Sequence, residues 1–332
     1  MLTLKKVAEL AGVSTTTVSR VLNNTYRNKV SEATRQRVLR IVEEVGYRSS
    51  VPARALRQKK TYQYGLVIPS LAFSYMPEVV QGLQLIAAQY DYACLLYITQ
   101  EDSSYELEIF RVLNSLHVDG VVWMPQPHHE PNLVQALSQK KVVEILNRSG
   151  IANLPSVTID QELGGYLAAK HLLDMGHRRI GAILHPGIHW KQRYAGYHRA
   201  LREAGQENLS ALVYTDMVLW QNGITAFHEL YQQDPGITAI LAASDDVAAG
   251  VIYAARHQGL CVPDDVAVIG FGDNPISRQG EVSISTIRHS KREVGEQAMR
   301  LLVALINNEE VKDIVFRPKL IVRQSSSNSL KK

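Results

Sequence analysis

The sequence predicts a small all-α head that is joined by a linker to a larger, two-lobed α/β body. Three observations support this fold class: helical apolar spacing in the first 46 residues, a basic segment with a proline after them, and short β-branched runs that alternate with helical patterns from residue 62 onward. We expect a head at 1–48, a linker at 49–61 and a body at 62–332.

Composition places the chain among ordinary globular proteins. It has 332 residues, of which 45% are hydrophobic and 20% are charged, and this length can bury a large core. The two cysteines lie far apart, which argues against a disulfide framework and against zinc-ligand spacing and fits a reducing compartment. We see no signal peptide and no apolar run of membrane-spanning length, so we expect a cytoplasmic protein without membrane contact.

The charge is distributed unevenly along the chain. Residues 1–62 carry 13 Lys and Arg against 4 Asp and Glu, a net charge of +9, whereas the rest of the chain carries a net charge of −5. A basic head on a mildly acidic body is typical of a nucleic-acid-binding module joined to a second domain. A head whose basic residues only increase solubility is the alternative.

Two short helices separated by only Gly12 and Val13 predict a helix-turn-helix in the head. Thr3 is expected to cap the first helix and Ser14 the second. Gly12 stands where the chain would need a positive φ angle. A third helix is predicted after Ser31. The apolar positions that support the three helices are Leu4, Val7, Ala8 and Ala11, then Val18, Val21 and Leu22, then Val38, Ile41, Val42 and Val45.

The second helix begins with three threonines, although a branched β-carbon makes threonine a mediocre helix former. In a helix-turn-helix the N-terminal residues of the second helix reach base edges in the major groove. Thr15 and Thr16 are therefore predicted to contact bases, since a hydroxyl can donate or accept and the methyl can contact thymine. Thr17 would only support the helix start. A purely structural role for all three is the alternative.

The segment LKKVAELAGVSTTTVSRVLNN, continued by KVSEATRQRVLRIVEEVGY, resembles the head of the lactose/galactose repressor (LacI/GalR) family of bacterial transcription regulators. The resemblance implies a double-stranded DNA operator as partner. The loop from Asn23 to Ser31 is about two residues longer than is usual, so no phosphate contact is assigned to Tyr26, Arg27 or Lys29. The DNA-binding residues predicted in the head are Thr3, Ser14, Thr15, Thr16, Ser19, Arg20 and Asn23.

The basic linker contains ARAL, Ala53 to Leu56, which resembles the hinge helix of the same family. The resemblance implies that the hinge folds on DNA, that Leu56 wedges into the minor groove, and that Ala53 lets the two hinges of a dimer approach. Ser49 and Ser50 stand where the family usually has a proline, so we expect a later and shorter hinge helix. Packing of Leu56 on the body is the alternative.

Eight short apolar runs in the body predict parallel strands, and the repetition of the pattern past residue 160 predicts two similar lobes. In open α/β sheets ligands bind beyond the C-terminal strand ends, so two facing lobes would form a cleft. Carboxylates and an arginine at these ends suit a polyhydroxylated ligand. The predicted effector-binding residues are Tyr75, Asn147, Asp160, Arg193, Asp245 and Asp273.

The body segments VDGVVWMP, SVTID, RYAGY, ASDDVAAG and STIRHS resemble the effector-binding core of the same family, which is similar to periplasmic sugar-binding proteins. The resemblance implies effector contacts at Arg193, Asp245 and Asp160. Ser244 stands where asparagine is usual and Gly272 where the first of two aspartates is usual. We expect a sugar, sugar acid or sugar phosphate as effector, with a nucleobase as the alternative.

Other chemistries lack support in the sequence. No P-loop and no G-x-S-x-G elbow is present. His128 and His129 lie in a predicted loop, and His185, His189 and His198 have no suitably spaced acidic partner, so we expect no metal site and no cofactor.

These observations favour a dimeric, effector-controlled DNA-binding regulator, by family default a repressor, on a near-palindromic operator. The C-terminal RQSSSNSLKK has no leucine heptads, which favours a homodimer over a tetramer. A solute-binding protein with an incidental basic head and an α/β enzyme are the alternatives. The basic head argues against the first, and the lack of a catalytic constellation argues against the second.

Overall fold

The computed structural model describes residues 3–22, 29–46, 60–126, 132–138, 140–185, 190–206, 208–216 and 218–327. The chain divides into two units, Met1–Thr61 and Tyr62–Lys332, which we call the head and the body. The predicted hinge residues Ala53 and Leu56, and the predicted DNA contact Asn23, lie outside the described residues.

The head contains three helices, α1 (Leu4–Ala11), α2 (Thr15–Leu22) and α3 (Glu32–Glu44). Each begins at a hydroxyl cap, as the sequence predicted. The Oγ1 of Thr3 accepts from the Lys6 N–H at 3.3 Å, the Oγ of Ser14 accepts from the Thr17 N–H at 3.1 Å, and Ser31 caps α3 in the same way. Gly12 ends α1 with a φ angle of 61°, which a side chain would strain.

A small apolar core holds the three head helices together. Val7, Val18 and Val38 come from different helices and are completely buried in it. Val18 is one of the apolar positions that supported the second helix in the sequence. The remaining core and border residues are Leu4, Ala8, Ala11, Val13, Val21, Leu22, Val30, Ile41, Val42 and Val45.

The body contains two six-stranded sheets. The first is built from β1 (Gln63–Ile68), β2 (Ala93–Ile98), β3 (Gly120–Trp123), β4 (Val142–Leu146), β5 (Ser156–Ile159) and β11 (Ile314–Phe316). The second is built from β6 (Ile180–Leu184), β7 (Ala211–Tyr214), β8 (Ala239–Leu241), β9 (Ala267–Gly272), β10 (Ser285–Arg288) and β12 (Lys319–Ile321). The strand orders are β11-β5-β4-β3-β1-β2 and β12-β10-β9-β8-β6-β7, and the pairing is parallel except between β10 and β12.

Helices cover both faces of each sheet. The described helices are α4 (Met76–Gln89), α5 (Ser103–Ser115), α6 (Leu133–Leu137), α7 (Gln161–Asp174), α8 (Trp190–Glu203), α9 (Trp220–Gln233), α10 (Asp245–His257), α11 (Ile276–Gln279) and α12 (Lys291–Ile306). A short 3-10 turn follows at Gln324–Ser326. None of the described helices is both long and apolar enough to cross a membrane.

The two sheets define an N-terminal and a C-terminal lobe that the chain enters more than once. It passes to the second sheet after β5, returns after β10 and crosses again after β11. Because α12 returns to the first lobe, its Val294, Met299 and Leu302 are buried with residues of β1 and β4. These crossings leave the carboxyl ends of strands from both sheets facing each other.

The eight strands that the sequence predicted are present. The structure adds β5, β10, β11 and β12, which the sequence analysis did not include among the strands. β11 and β12 have only three residues each, and β5 and β10 contain serine and threonine at half of their positions. None of the four therefore forms an apolar run of more than three residues.

In the described part of the body, three helix pairs cross where each helix has a glycine. A β-carbon at Gly82 of α4 would lie 2.0 Å from the carbonyl oxygen of Arg292, and one at Gly295 of α12 would lie 2.1 Å from that of Val79. Backbones that approach this closely leave no space for a side chain. The other two pairs are Gly165 with Gly196, between α7 and α8, and Gly223 with Gly250, between α9 and α10.

Candidate functional site

The exposed start of α2 is the first candidate site. Thr15 and Thr16 are exposed, whereas Thr17 is half-buried and its hydroxyl lies 2.9 Å from the Ser14 hydroxyl. The Ser14 oxygen also accepts from the Thr17 N–H, so Ser14 and Thr17 fix the helix start. The two preceding threonines are left to present their hydroxyl and methyl groups to solvent. This division of roles is the one expected for a helix that contacts base edges through its first turn.

The other described head residues predicted to bind DNA lie on α2 or at the start of α1. Thr3 is exposed at the start of α1, where its side chain is engaged as a cap. Ser19 and Arg20 are half-buried in the second half of α2, and Arg20 lies in its last turn. A cation near a helix C-terminus is favoured by the helix dipole.

The second candidate site is a cavity of about 170 Å³ between the lobes of the body. Four strands of each sheet end at it: β1, β3, β4 and β5 from the first, and β6, β8, β9 and β10 from the second. An engineered cavity of roughly 150 Å³ binds benzene, so this volume suits a ligand of about one ring. The lining combines Pro69, Phe73, Tyr75, Met124, Leu146, Ile159, Leu184, Val218, Ala243 and Phe271 with Ser74, Glu101, Gln126, Asn147, Gln161, His185, Arg193, Ser244, Asp246, Asn274 and His289.

Arg193 supplies a fixed cation in this cleft. Its Nε donates to the Gln161 Oε1 at 2.8 Å and its Nη1 donates to the Ala243 carbonyl oxygen at 2.8 Å. The guanidinium carbon lies 3.6 Å from the centroid of the Phe271 ring. Burial lowers the pKa of Arg193, but an arginine stays charged in a protein. The side chain is therefore a preorganised donor group held over an aromatic ring.

Tyr75 forms part of an aromatic wall at the cleft. Its ring is stacked on that of Phe73, with 5.5 Å between the centroids and 5° between the planes. Burial raises the pKa of the Tyr75 hydroxyl well above its usual value, while the nearby Arg193 acts in the opposite direction. The hydroxyl therefore stays protonated at neutral pH and can donate to a ligand.

Asn147 and Asn274 line the cleft, and each has a buried side-chain acceptor. The Nδ2 of Asn147 donates to the Pro125 carbonyl oxygen at 2.9 Å, which fixes the orientation of the amide. The Oδ1 atoms of both asparagines are buried and have no hydrogen-bond partner among the described residues. A buried acceptor without a partner costs about 1–3 kcal/mol, which an O–H or N–H of a ligand would offset.

Asp245 was predicted at the effector, but the structure places it behind the cleft lining, and its neighbour Asp246 lines the cavity instead. Asp245 is completely buried. It accepts from the Thr286 hydroxyl at 2.5 Å and from the Asn274 N–H at 2.6 Å. Burial raises the pKa of Asp245 to about 6, against the lowering effect of these hydrogen bonds. The carboxyl ties α10 to β10 and to the segment after β9.

Asp273 also lies outside the cavity lining. Its buried carboxylate accepts from the side chains of Arg278, Arg288 and Arg323, at 2.7, 2.5 and 2.6 Å. Burial alone would raise the pKa of Asp273, but the three guanidinium groups hold it well below its usual range. The carboxylate therefore has no free capacity for a neutral ligand, and it fixes the turn after β9.

Asp160 is a helix cap and is likewise outside the cavity lining. Its Oδ1 accepts from the Leu163 N–H at 2.8 Å, and Gln161, the first residue of α7, lines the cavity instead. The three aspartates nominated from the sequence are thus each followed by a residue that does line it: Gln161, Asp246 and Asn274. The strand ends were the informative pattern, but the turn geometry that decides which residue faces the cleft is not encoded in apolar spacing.

Comparisons with known proteins agree with this architecture. The model of a family described as bacterial regulatory proteins, lacI family, matches residues 3–50, and that of a periplasmic binding protein-like domain matches residues 169–326. The HTH-type transcriptional regulator RegA of Clostridium saccharobutylicum is 34% identical over 331 residues, which cover 97% of this chain and 98% of RegA. The HTH-type transcriptional repressor PurR of Mannheimia succiniciproducens is 32% identical, with 98% of each chain covered.

A solved structure of the transcriptional regulator CelR in complex with cellobiose is also similar. It has a TM-score of 0.75 and 29% sequence identity, and the likeness covers 98% of this chain and 100% of that chain. The similarity therefore extends over both the head and the body.

Proposed function

This chain belongs to the LacI family of bacterial regulatory proteins, and from that premise we propose that it is a repressor whose DNA binding is controlled by a small molecule in the cleft of its body. It is a transcriptional regulator and not an enzyme. The observation that carries the proposal is the combination of an exposed, capped helix start at Thr15 and Thr16 with a cleft in which Arg193 is held ready for a ligand.

On the DNA side, α2 would lie in the major groove of an operator half-site. Thr15 and Thr16 would contact base edges, while the other predicted head residues, Thr3, Ser14, Ser19, Arg20 and Asn23, would contact the backbone. A homodimer would present two such heads, so the operator would be near-palindromic. We place the protein in the cytoplasm, where a bacterial operator is found. The hinge residues Ala53 and Leu56 would bend the centre of the operator.

On the effector side, we propose a sugar or sugar derivative of about one ring. Arg193, Asn147 and Tyr75 would contact it directly, and Asp160, Asp245 and Asp273 would position the neighbouring residues that do. The cleft offers both donors and acceptors beside an aromatic wall, which suits a ring that carries hydroxyl groups. The effector would favour one arrangement of the lobes, and any effect on DNA binding must be matched by an equal effect of DNA on effector binding.

The proposal can be tested by selection from a random duplex DNA pool with the purified full chain. The selection is repeated with a mixture of sugars, sugar acids and sugar phosphates, and separately with nucleobases. Enrichment of a near-palindrome whose recovery changes with the sugar mixture supports the proposal. A palindrome whose recovery changes only with nucleobases would mean that the effector is a nucleobase and not a sugar. Enrichment of no sequence would contradict a sequence-reading head.

Replacing Thr16 by alanine is expected to reduce discrimination at one operator position by about tenfold, because one base contact is worth roughly 1–3 kcal/mol. The dependence of binding on salt should stay the same, since phosphate contacts set it. Thr17→Ala is the matched control. Its hydroxyl faces Ser14, so that variant should lose head stability and keep its sequence preference. An unchanged DNA sequence preference in both variants would show that this helix start does not contact the bases that determine it.

Replacing Arg193 by alanine is expected to weaken binding of the active effector by about 10- to 100-fold, because hydrogen bonds from a charged donor are worth roughly 1.5–3 kcal/mol. Operator binding without effector should persist, and titration calorimetry with DNA-binding assays would measure both. Arg199→Ala is the control on the same helix, since Arg199 forms an exposed ion pair with Glu162. An undiminished effector affinity in Arg193→Ala would remove this residue from the site.

A further inference from the structure

Ser74 connects the two lobes at the cleft. Ser74 lies between β1 and α4 in the N-terminal lobe, while Asp246 and Asn274 belong to the C-terminal lobe. The Ser74 hydroxyl donates to the Asp246 Oδ2 at 2.6 Å, and the Asn274 Nδ2 donates to the Ser74 Oγ at 2.5 Å. The Asn274 Nδ2 also lies 3.3 Å from the Asp246 Oδ2. The three side chains form a closed triangle of hydrogen bonds between the lobes.

We propose that Ser74, Asp246 and Asn274 act as an interlobe clasp that stabilises the closed arrangement of the cleft and couples it to the bound ligand. The inference rests on the proposed function in one respect, since it concerns the cleft that would hold the effector. The clasp itself is a property of the chain without DNA or ligand. It can therefore be tested without knowing either.

The chemistry of the three side chains fixes the direction of each hydrogen bond in the triangle. A carboxylate can only accept, so the single hydroxyl proton of Ser74 is directed to Asp246 and the Ser74 lone pairs are free for Asn274. The same argument fixes the amide of Asn274, whose NH₂ group must face the two oxygens. Hydrogen bonds to a carboxylate are shorter and stronger than neutral ones, and the 2.6 Å distance between the Ser74 hydroxyl and Asp246 agrees with this.

Asn274 connects the clasp to the ligand space. Asn274 is 1% exposed. Its Nδ2 donates within the clasp, and its Oδ1 is buried without a partner among the described residues. A ligand O–H or N–H that donates to this oxygen would polarise the amide and strengthen its donation to Ser74. A ligand with such a donor would therefore favour closure, and closure would raise the affinity for that ligand.

Hydrogen–deuterium exchange of the full chain, measured by mass spectrometry without ligand or DNA, tests the clasp. Ser74→Ala removes both interlobe hydrogen bonds of this hydroxyl. The reporter segments lie in the opposite lobe, at residues 244–250 and 272–278, where the Asn274 N–H is bonded to Asp245. We expect exchange there to become at least about fivefold faster, since the loss of even one of the two hydrogen bonds shifts an opening equilibrium by roughly that factor.

Ser70→Ala is the matched control, because Ser70 lies in the same loop but its hydroxyl caps the Ala72 N–H within its own lobe. That variant should leave the C-terminal-lobe segments unchanged. Equal exchange in wild type and Ser74→Ala would overturn the clasp, and so would equal acceleration in both variants.

The reciprocal variant Asn274→Ala should accelerate exchange at residues 70–78 of the N-terminal lobe. A cooperative thermal transition establishes that this variant is folded, and a folded variant without that acceleration would also overturn the clasp. Failure of either exchange test leaves the DNA selection experiment unaffected, so the clasp and the proposed function can fail separately.

Discussion

Replacing Gly295 by alanine is expected to destabilise the body by about 2 kcal/mol or more, although alanine is the better helix former. The helix preference favours alanine over glycine by about 1 kcal/mol. The added methyl group would lie 2.1 Å from the Val79 carbonyl oxygen and 2.9 Å from the Leu83 nitrogen, both of which are backbone atoms of α4. Neither can rotate away, so α4 and α12 must separate. Overpacking costs about 1–3 kcal/mol and occasionally more, and a contact this close to two backbone atoms lies at the upper end of that range, which leaves about 2 kcal/mol after the helix preference is subtracted.

Thermal unfolding of the full chain measures this effect, and we expect a fall in Tm of about 5 °C or more. Gly280→Ala is the matched control. Gly280 has a φ angle of −80°, and a β-carbon there would lie 3.5 Å from the Val282 carbonyl oxygen and 4.0 Å from the Val282 nitrogen, which are ordinary contacts. That variant should be neutral or slightly stabilising. A Gly295→Ala variant as stable as wild type would show that the helix crossing can relax.

The fold of the head follows closely from local sequence. Thr3, Ser14 and Ser31 were predicted to begin helices and each accepts a backbone N–H there, and Gly12 has the predicted positive φ angle. These features act over three or four residues, so spacing alone locates them. The helix-turn-helix could be predicted in detail for that reason.

The cleft was predictable in position but less so in its residues. Strand ends indicated where the lobes meet, and Tyr75, Asn147 and Arg193 do line the cavity. Asp245 and Asp273 are instead buried among their own hydrogen-bond partners, which include Thr286 and Arg323, far along the chain. Whether a carboxylate faces a ligand or an internal partner depends on such distant contacts, and no local pattern contains them.

The same limit applies to the glycine crossings and to the clasp. Gly82 and Gly295 come within contact only because α12 returns to the first lobe after β10. Ser74 is separated from Asp246 by 172 positions and from Asn274 by 200. Features that depend on the meeting of two lobes appear only once the sheets are assembled.

Replacing Glu106 by glutamine is expected to stabilise the protein above neutral pH and to remove part of its pH dependence. Glu106 is completely buried on α5, and its Oε1 accepts from the Trp123 Nε1–H at 2.7 Å. Its Oε2 is buried without a partner among the described residues. Burial raises the pKa of Glu106 from its ordinary value of 4.5 to about 7, although the Trp123 hydrogen bond opposes this. Glutamine keeps the acceptor for Trp123 and carries no charge.

The sign of the effect follows from the raised pKa of Glu106. Below about pH 4.5 the carboxyl is protonated in both the folded and the unfolded chain, and its ionisation contributes no penalty. Between about pH 4.5 and pH 7 the unfolded chain gives up this proton while the folded protein keeps it, so the stability falls by about 3 kcal/mol over that interval and is constant above it. The stability difference between Glu106→Gln and wild type should therefore grow in favour of the variant from about pH 4.5 to about pH 7 and then level off.

Urea unfolding of both proteins across this pH range measures the difference, and Glu108→Gln serves as the control on the same helix. Glu108 forms an exposed ion pair with Arg111, so its substitution should change stability little and without a marked dependence on pH. Glu144, a second buried carboxyl of this lobe whose pKa burial raises, is retained in all three proteins and cancels in the comparison. If the stability difference between Glu106→Gln and wild type does not change with pH, Glu106 keeps its charge in the folded lobe. The polar surroundings of Trp123 would then compensate for the burial of that charge.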